Sequence, residues 1–188
     1  MNSSVNEIVD EVFTLYEKFG DADYIGEPVS QLEHMSQAAQ LAMEEGFDDE
    51  VVLAAFFHDI GHICVMQDES NSMDGYGVKS HEKIGADYLR HKGFPARVAK
   101  LVENHVQAKR YLTFRYPEYY QSLSEASKKT LEFQGGVMEA DEADTFEKDA
   151  LFEISIRMRK WDELAKEIDC AIINLEDMKS KARMVLGH

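Results

Sequence analysis

Phe57-His58-Asp59-Ile60-Gly61-His62 places two metal-preferring side chains, His58 and Asp59, at the end of the apolar run Val51-Val52-Leu53-Ala54-Ala55-Phe56-Phe57. Imidazole with carboxylate is the ligand mix of iron, manganese or zinc. A carboxylate has two oxygens, so one aspartate can bind two cations and offset part of their mutual repulsion. Asp59 is the candidate for that bridging role. Of the 7 histidines, His34, His58, His62, His81 and His105 fall near successive helix starts or ends. A lone helical histidine is ordinarily a hydrogen-bonded polar residue, but a set at such positions is a candidate site. His91, in Arg90-His91-Lys92, and the terminal His188 read as surface residues.

Helices must position these groups. Val5 to Phe19 carries an apolar face and stops at Gly20. Ser30-x-x-Glu33 is a capping box for a helix that closes at Gly46, and Asp48 or Asp49 caps the next, which carries His58 near its end and is expected to stop at Gly61. Ser80 is expected to cap a helix from His81 to about Lys92, with Gly93 as terminator, and Pro95 opens another that carries Asn104-His105. Ser124 caps a short helix ending before Gln134-Gly135-Gly136, Glu147 to Lys166 is a longer one containing Trp161-Asp162, and Asn174 caps the last. No run alternates with period two, so the expected fold is all-α, a single domain over residues 1–188. The stretch from Cys64 to Lys79, rich in Asp, Ser, Asn, Gly and Met, is the expected mobile loop.

At 188 residues and 44% hydrophobic content the chain can bury a substantial core. A formal charge of -16 repels a polyphosphate backbone, which argues against nucleic acid and for a small substrate. Cys64 and Cys170 form no C-x-x-C pair, the N-terminal residues lack signal-peptide character, and no run approaches about 18 apolar residues. A cytoplasmic protein without a membrane partner is expected.

His34, His58-Asp59 and Asp162 resemble the H…HD…D signature of the HD-domain superfamily, helical proteins known mainly as metal-dependent phosphohydrolases. His81 and His105 match the subset that binds two metals. The likeness is closer along Asp23-Tyr24-Ile25-Gly26-Glu27, Gln31-Leu32-Glu33-His34, Gly75-Tyr76-Gly77-Val78, His81 to Leu89, His105 to Leu112, Ser127 to Gly136 and Trp161-Asp162. These segments resemble the HD-domain mixed-valent diiron oxygenases that cleave the carbon–phosphorus bond of 2-amino-1-hydroxyethylphosphonate, distant relatives of myo-inositol oxygenase. The resemblance spans about residues 20–165.

It implies an Fe(II)/Fe(III) pair, with one iron on His34, His58, Asp59 and Asp162 and the other on Asp59, His81 and His105, and dioxygen as co-substrate. It further implies that His62, Lys109, Ser127 and Gln134 hold the phosphonate of a small organophosphonate. Tyr24 then takes an iron position when substrate is absent, and Glu27 meets the substrate's cationic end. From residue types alone His62 is equally a metal ligand, Lys109 a solvated helix residue and Ser127 an ordinary cap. The implied reaction converts (R)-2-amino-1-hydroxyethylphosphonate to glycine and phosphate, downstream of a hydroxylase that makes the 1-hydroxyphosphonate. The trimethylammonio analogue, giving glycine betaine, is the alternative, because Tyr24, Tyr76 and Phe133 lie in segments that can offer aromatic faces. An HD phosphohydrolase using metal-activated water is the second alternative, and a non-catalytic metal-dependent regulatory module the third.

Overall fold

The computed structural model describes residues 4–24, 26–65 and 77–187. Among them the chain is all-α: α1 Val5–Phe19, α2 Gln31–Glu44, α3 Asp49–Phe57, α4 Ile60–Cys64, α5 His81–His91, α6 Ala96–Arg115, α7 Pro117–Ser122, α8 Glu125–Phe133, α9 Ala140–Phe146, α10 Phe152–Leu164 and α11 Leu175–Leu186. No helix among these residues is long and apolar enough to cross a membrane.

The caps legible in the sequence form as hydrogen bonds. Ser30 Oγ accepts from Glu33 N while the Glu33 carboxylate accepts from Ser30 N, and Asp48 Oδ1 accepts from Val51 N. Each satisfies amides that the first helical turn leaves without partners. Helix α3 is apolar on every side, and Val51 to Phe57 are all buried, because α2, α6, α10 and α11 surround it. Burying Leu53, Phe56 and Phe57 stabilises the fold by about 1.5–3 kcal/mol each, and so anchors the helix whose end carries His58. A second, smaller core of Ala108, Tyr111, Leu112, Met138, Ala143 and Phe146 holds the far half of α6 against α9.

Four local expectations are corrected. Gly61 does not stop a helix: α3 ends at Phe57, and Gly61 lies inside α4. A Cβ there would come within 1.9 Å of His81 O, so this glycine lets α4 approach the first residue of α5. Ser80 precedes α5 but does not cap it, since it is left-handed at φ 54 with no side-chain cap bond. The helix expected over 147–166 starts only at Phe152, as α10, because Asp149 Oδ1 accepts from Leu151 N at 2.8 Å and folds the residues before it into a turn. Helices α7, opened by Pro117, and α9 were not expected. Most of the expected mobile loop, residues 66–76, lies outside the described residues, as do Ile25, Tyr76 and His188.

Two short connections matter for the site. Residues 21–30 between α1 and α2 are pinned by an isolated antiparallel bridge, Asp23 with Ser30, and by Tyr24 N donating to Val29 O. After α8, Gly135 and Gly136 take φ 98 and 72, values natural only to glycine, and Gly136 N closes the turn on Leu131 O.

Candidate metal and substrate site

Four helices and one helix–helix junction converge on one buried cluster. His34 comes from α2, His58 and Asp59 from the α3–α4 junction, His81 from the start of α5, His105 from α6 and Asp162 from α10. All six are buried.

Three imidazoles are oriented through Nδ1: His34 faces Ala165 O at 2.8 Å, His58 faces Ala55 O at 2.8 Å and His105 faces Val102 O at 2.6 Å. A carbonyl only accepts, so each Nδ1 carries a proton and the neutral ring presents a bare lone pair at Nε2. Yet His34 Nε2 and His58 Nε2 lie 3.0 Å apart. Asp59 Oδ2 lies 3.5 and 3.4 Å from them, and Asp162 Oδ1 3.4 and 3.9 Å. On the other side of Asp59, Oδ1 is 3.2 Å from His81 Nε2 and 3.4 Å from His105 Nε2, which are 3.1 Å from each other.

Two donors each about 2.1 Å from one ion, at roughly 90–110°, lie about 3.0–3.4 Å apart. Most of the spacings in both groups match. The charge balance agrees. Burial works against ionising Asp59 and Asp162, but His58 for the first and Arg159 for the second outweigh it and hold both carboxyls well below their usual range. Burial likewise disfavours a charged His34, yet the Asp162 and Asp59 carboxylates raise it to about 9. A single added proton satisfies one contact; a cation satisfies every group around it. The residues therefore fit a binuclear metal site with Asp59 between the two positions.

His62 stacks on His81, ring centroids 4.0 Å apart, and its donor atom falls in range of Asp59 and His81. Its Nδ1, however, accepts from Val78 N at 3.1 Å, so the neutral ring keeps its proton on Nε2 and is a hydrogen-bond donor there. Burial and the neighbouring His81 push it down to about 3. Gly77 permits this contact, since a Cβ would meet the His62 ring at 2.7 Å.

A cavity adjoins the cluster and is lined by Asp59, His62, His81, His105 and Asp162, and by every other expected substrate residue: Tyr24, Glu27, Lys109, Ser127 and Gln134. Lys109, 3% exposed, donates to Thr130 Oγ1 at 2.7 Å and Gln134 Oε1 at 3.0 Å. Burial, then the Arg159 charge, lowers it to about 7. Both acceptors are neutral, so its charge has no carboxylate partner among the described residues. Tyr24 stacks on His34 at 4.0 Å, and burial with the Asp59 and Asp162 charges keeps its phenol well above the ordinary range. Glu27 Oε1 is taken by Lys166 Nζ at 2.6 Å.

Gln31, Thr130, Arg159 and Lys166 also line the cavity and were not anticipated. Gln31 and Thr130 lie within segments that carry the resemblance, and Arg159 falls three residues before Asp162 and therefore on the same helix face. Phe133 does not line the cavity; Lys79 and Lys129 lie over its ring at 5.7 and 5.8 Å.

This geometry defines the class of protein: residues 31–148 match the HD domain family, and the chain belongs to it. Its relatives narrow the class. A protein of Acanthamoeba polyphaga mimivirus, uncharacterized protein L432, is 44% identical over 178 residues, covering 93% of this chain and 81% of that protein. The [1-hydroxy-2-(trimethylamino)ethyl]phosphonate dioxygenase (glycine-betaine-forming) of Leisingera caerulea is 40% identical over 162 residues, 86% of this chain and 82% of the relative. The hydroxymethylphosphonate dioxygenase of Gimesia maris is 33% identical over 190 residues, 100% of this chain and 92% of the relative.

Proposed function

We propose that this protein is an iron-dependent phosphonate dioxygenase that cleaves the carbon–phosphorus bond of (R)-2-amino-1-hydroxyethylphosphonate to give glycine and phosphate. The observation that carries it is Asp59, whose two oxygens face two separate imidazole pairs in the wall of a cavity that also presents Lys109. The relatives named as phosphonate dioxygenases support the same reading.

His34, His58, Asp59 and Asp162 would hold one iron, and Asp59, His81 and His105 the other, the smaller ligand set leaving room for exogenous ligands. When bound, an Fe(II)/Fe(III) pair supplies the redox and dioxygen chemistry that carbon oxidation needs. The overall equation balances: substrate plus one dioxygen gives glycine plus phosphate, with dioxygen reduced by four electrons taken from the substrate.

The chain's own residues bind and orient. An ammonium has three N–H donors, and Lys109 spends two on Thr130 and Gln134, leaving one for a phosphonate oxygen. His62 Nε2, the Ser127 hydroxyl and the Gln134 amide nitrogen are neutral donors for the remaining oxygens. At the other end, Glu27 Oε2 and the buried Gln31 Oε1 have no hydrogen-bond partner among the described residues. Both are directional acceptors suited to a primary ammonium. Tyr24 is the one phenol or phenyl ring lining the cavity among those residues, which is less than a cage for a trimethylammonium group. Stacked on His34, Tyr24 covers the cluster and yields its place to substrate. A hydroxylase acting on the parent phosphonate would supply the substrate. Free Cys64 and Cys170 suit the reducing cytoplasm.

The test is phosphate release by iron-loaded protein with and without air. Release that needs dioxygen supports the proposal, while equal release under nitrogen would make the protein a phosphohydrolase.

A further inference from the structure

Arg159 sits on α10 with 4% of its surface exposed and lines the cavity. Its Nε donates to Tyr119 Oη at 2.8 Å and Glu163 Oε1 at 3.1 Å, the Tyr119 hydroxyl also contacts Glu163, and its Nη1 donates to Asp162 Oδ2. Nη2 is buried and has no partner among the described residues. A guanidinium offers five N–H groups in a rigid fork. Both N–H groups on its Nη2 are therefore unused in a place without water contact, an arrangement that costs free energy unless an acceptor arrives.

We infer that Arg159 is a second anion-binding residue of the cavity and that the same guanidinium positions Asp162. The inference rests on reading the cavity as a phosphonate site. A phosphonate brings three acceptor oxygens, more than one Lys109 N–H can satisfy, and a planar fork complements the point charge of a lysine. Placement agrees with this, since Arg159 is the strongest charge pressing on Lys109. Two cations that repel one another across a cavity are relieved by an anion between them.

The other half of the fork acts on the metal cluster. Asp162 Oδ2 is engaged by Arg159, so only Oδ1, 3.4 Å from His34 Nε2, faces the imidazoles. Arg159 thus restricts Asp162 to one oxygen toward the cluster and joins the anion site to it through a single rigid group. Asp162 and Glu163 already balance its charge. What Arg159 adds for the ligand is therefore mainly directed hydrogen bonding, and its loss should cost less than the loss of Lys109.

The test uses iron-loaded wild type, Arg159→Lys and Arg159→Gln, with iron content measured on every sample. Hydroxymethylphosphonate and inorganic phosphate are titrated calorimetrically without air, so that binding is read independently of turnover. Both variants should bind hydroxymethylphosphonate about tenfold more weakly per iron-loaded molecule. The spectrum of the iron pair should change in Arg159→Gln and move back toward wild type in Arg159→Lys. Affinity within twofold of wild type would overturn the anion half, as would losses that merely follow iron loss in both variants. An unchanged spectrum in Arg159→Gln would overturn the positioning half. Wild type that binds phosphate but no hydroxyphosphonate would sink the dioxygenase reading and leave the Arg159 role to be read from phosphate. Binding neither anion would overturn both.

Discussion

Glu27 Oε1 accepts a 2.6 Å hydrogen bond from Lys166 Nζ, which ties the connection ahead of α2 to the segment just past α10. With side chains 13% and 19% exposed, the pair is only partly screened by water. A substrate ammonium that reaches Glu27 therefore meets a carboxylate already half committed to a cation.

That sharing makes Lys166 a determinant of selectivity. Lys166→Met should strengthen binding of (R)-2-amino-1-hydroxyethylphosphonate relative to hydroxymethylphosphonate by about fivefold or more, because Glu27 then serves one cation instead of two. Glu27→Gln should weaken the amino substrate about tenfold and leave hydroxymethylphosphonate within about twofold. A ratio of dissociation constants unchanged in both variants would remove the ammonium from this end of the cavity. A clear preference for the trimethylammonio compound would replace the amine and leave the metal chemistry intact.

Protein produced with iron should carry about two irons per chain, and His81→Ala about one, with dioxygen-dependent turnover lost, since the set of Asp59, His81 and His105 has no ligand to spare. Elemental analysis and phosphate release on the same samples decide it. A fully active His81→Ala protein holding one metal would contradict the paired site.

Lys109 has two pH signatures. Its folded value, about 7 against 10.5, means that the ligand-free protein loses this positive charge as pH rises through about 7, so anion affinity should fall on the alkaline side. In Lys109→Met the affinity at pH 6 should be roughly ten- to a hundredfold weaker, equivalent to about 1.5–3 kcal/mol, and the part of the pH slope owed to Lys109 should vanish. Stability runs the opposite way. A lysine with a depressed value opposes folding fully below about 7, and that penalty fades as pH rises to the unfolded value near 10.5. Lys109→Met should accordingly raise Tm more at pH 6 than at pH 10. An equal Tm change at both would show that Lys109 is not the buried, depressed cation described above.

Gly61→Ala tests the close approach of α4 to α5. Its Cβ would fall 1.9 Å from His81 O, so the backbone must separate at the point where Asp59 and His81 meet. Overpacking of this kind costs about 1–3 kcal/mol, a Tm loss of several degrees in a chain of this size, and iron content should drop as well. An unperturbed variant would mean that this contact positions nothing.

What could be read from the chain, and what could not, follows from the range of the interactions. Ser30-x-x-Glu33, Asp48, Ser124 and Asn174 act on amides two or three residues away, so their caps were visible as local patterns. The groups that gather at the cavity were legible through the resemblance, which named Tyr24, Glu27, His62, Lys109, Ser127 and Gln134; all of them line it. The late start of α10 at Phe152 was missed because the Asp149 side chain competes with the helix for a backbone amide, a choice that residue periodicity does not register. Lys166 was invisible because its partner Glu27 is 139 positions away. Thr130 and Gln31 carry no chemistry that marks them outside the pocket they help to line.

The most direct measurement is the stoichiometry of dioxygen consumed, phosphate released and glycine formed when iron-loaded protein meets (R)-2-amino-1-hydroxyethylphosphonate. One dioxygen for each phosphate and each glycine is the expected result. Phosphate released without dioxygen consumption, or a zinc-loaded protein that turns over as fast as the iron form, would contradict the oxidative cleavage proposed here.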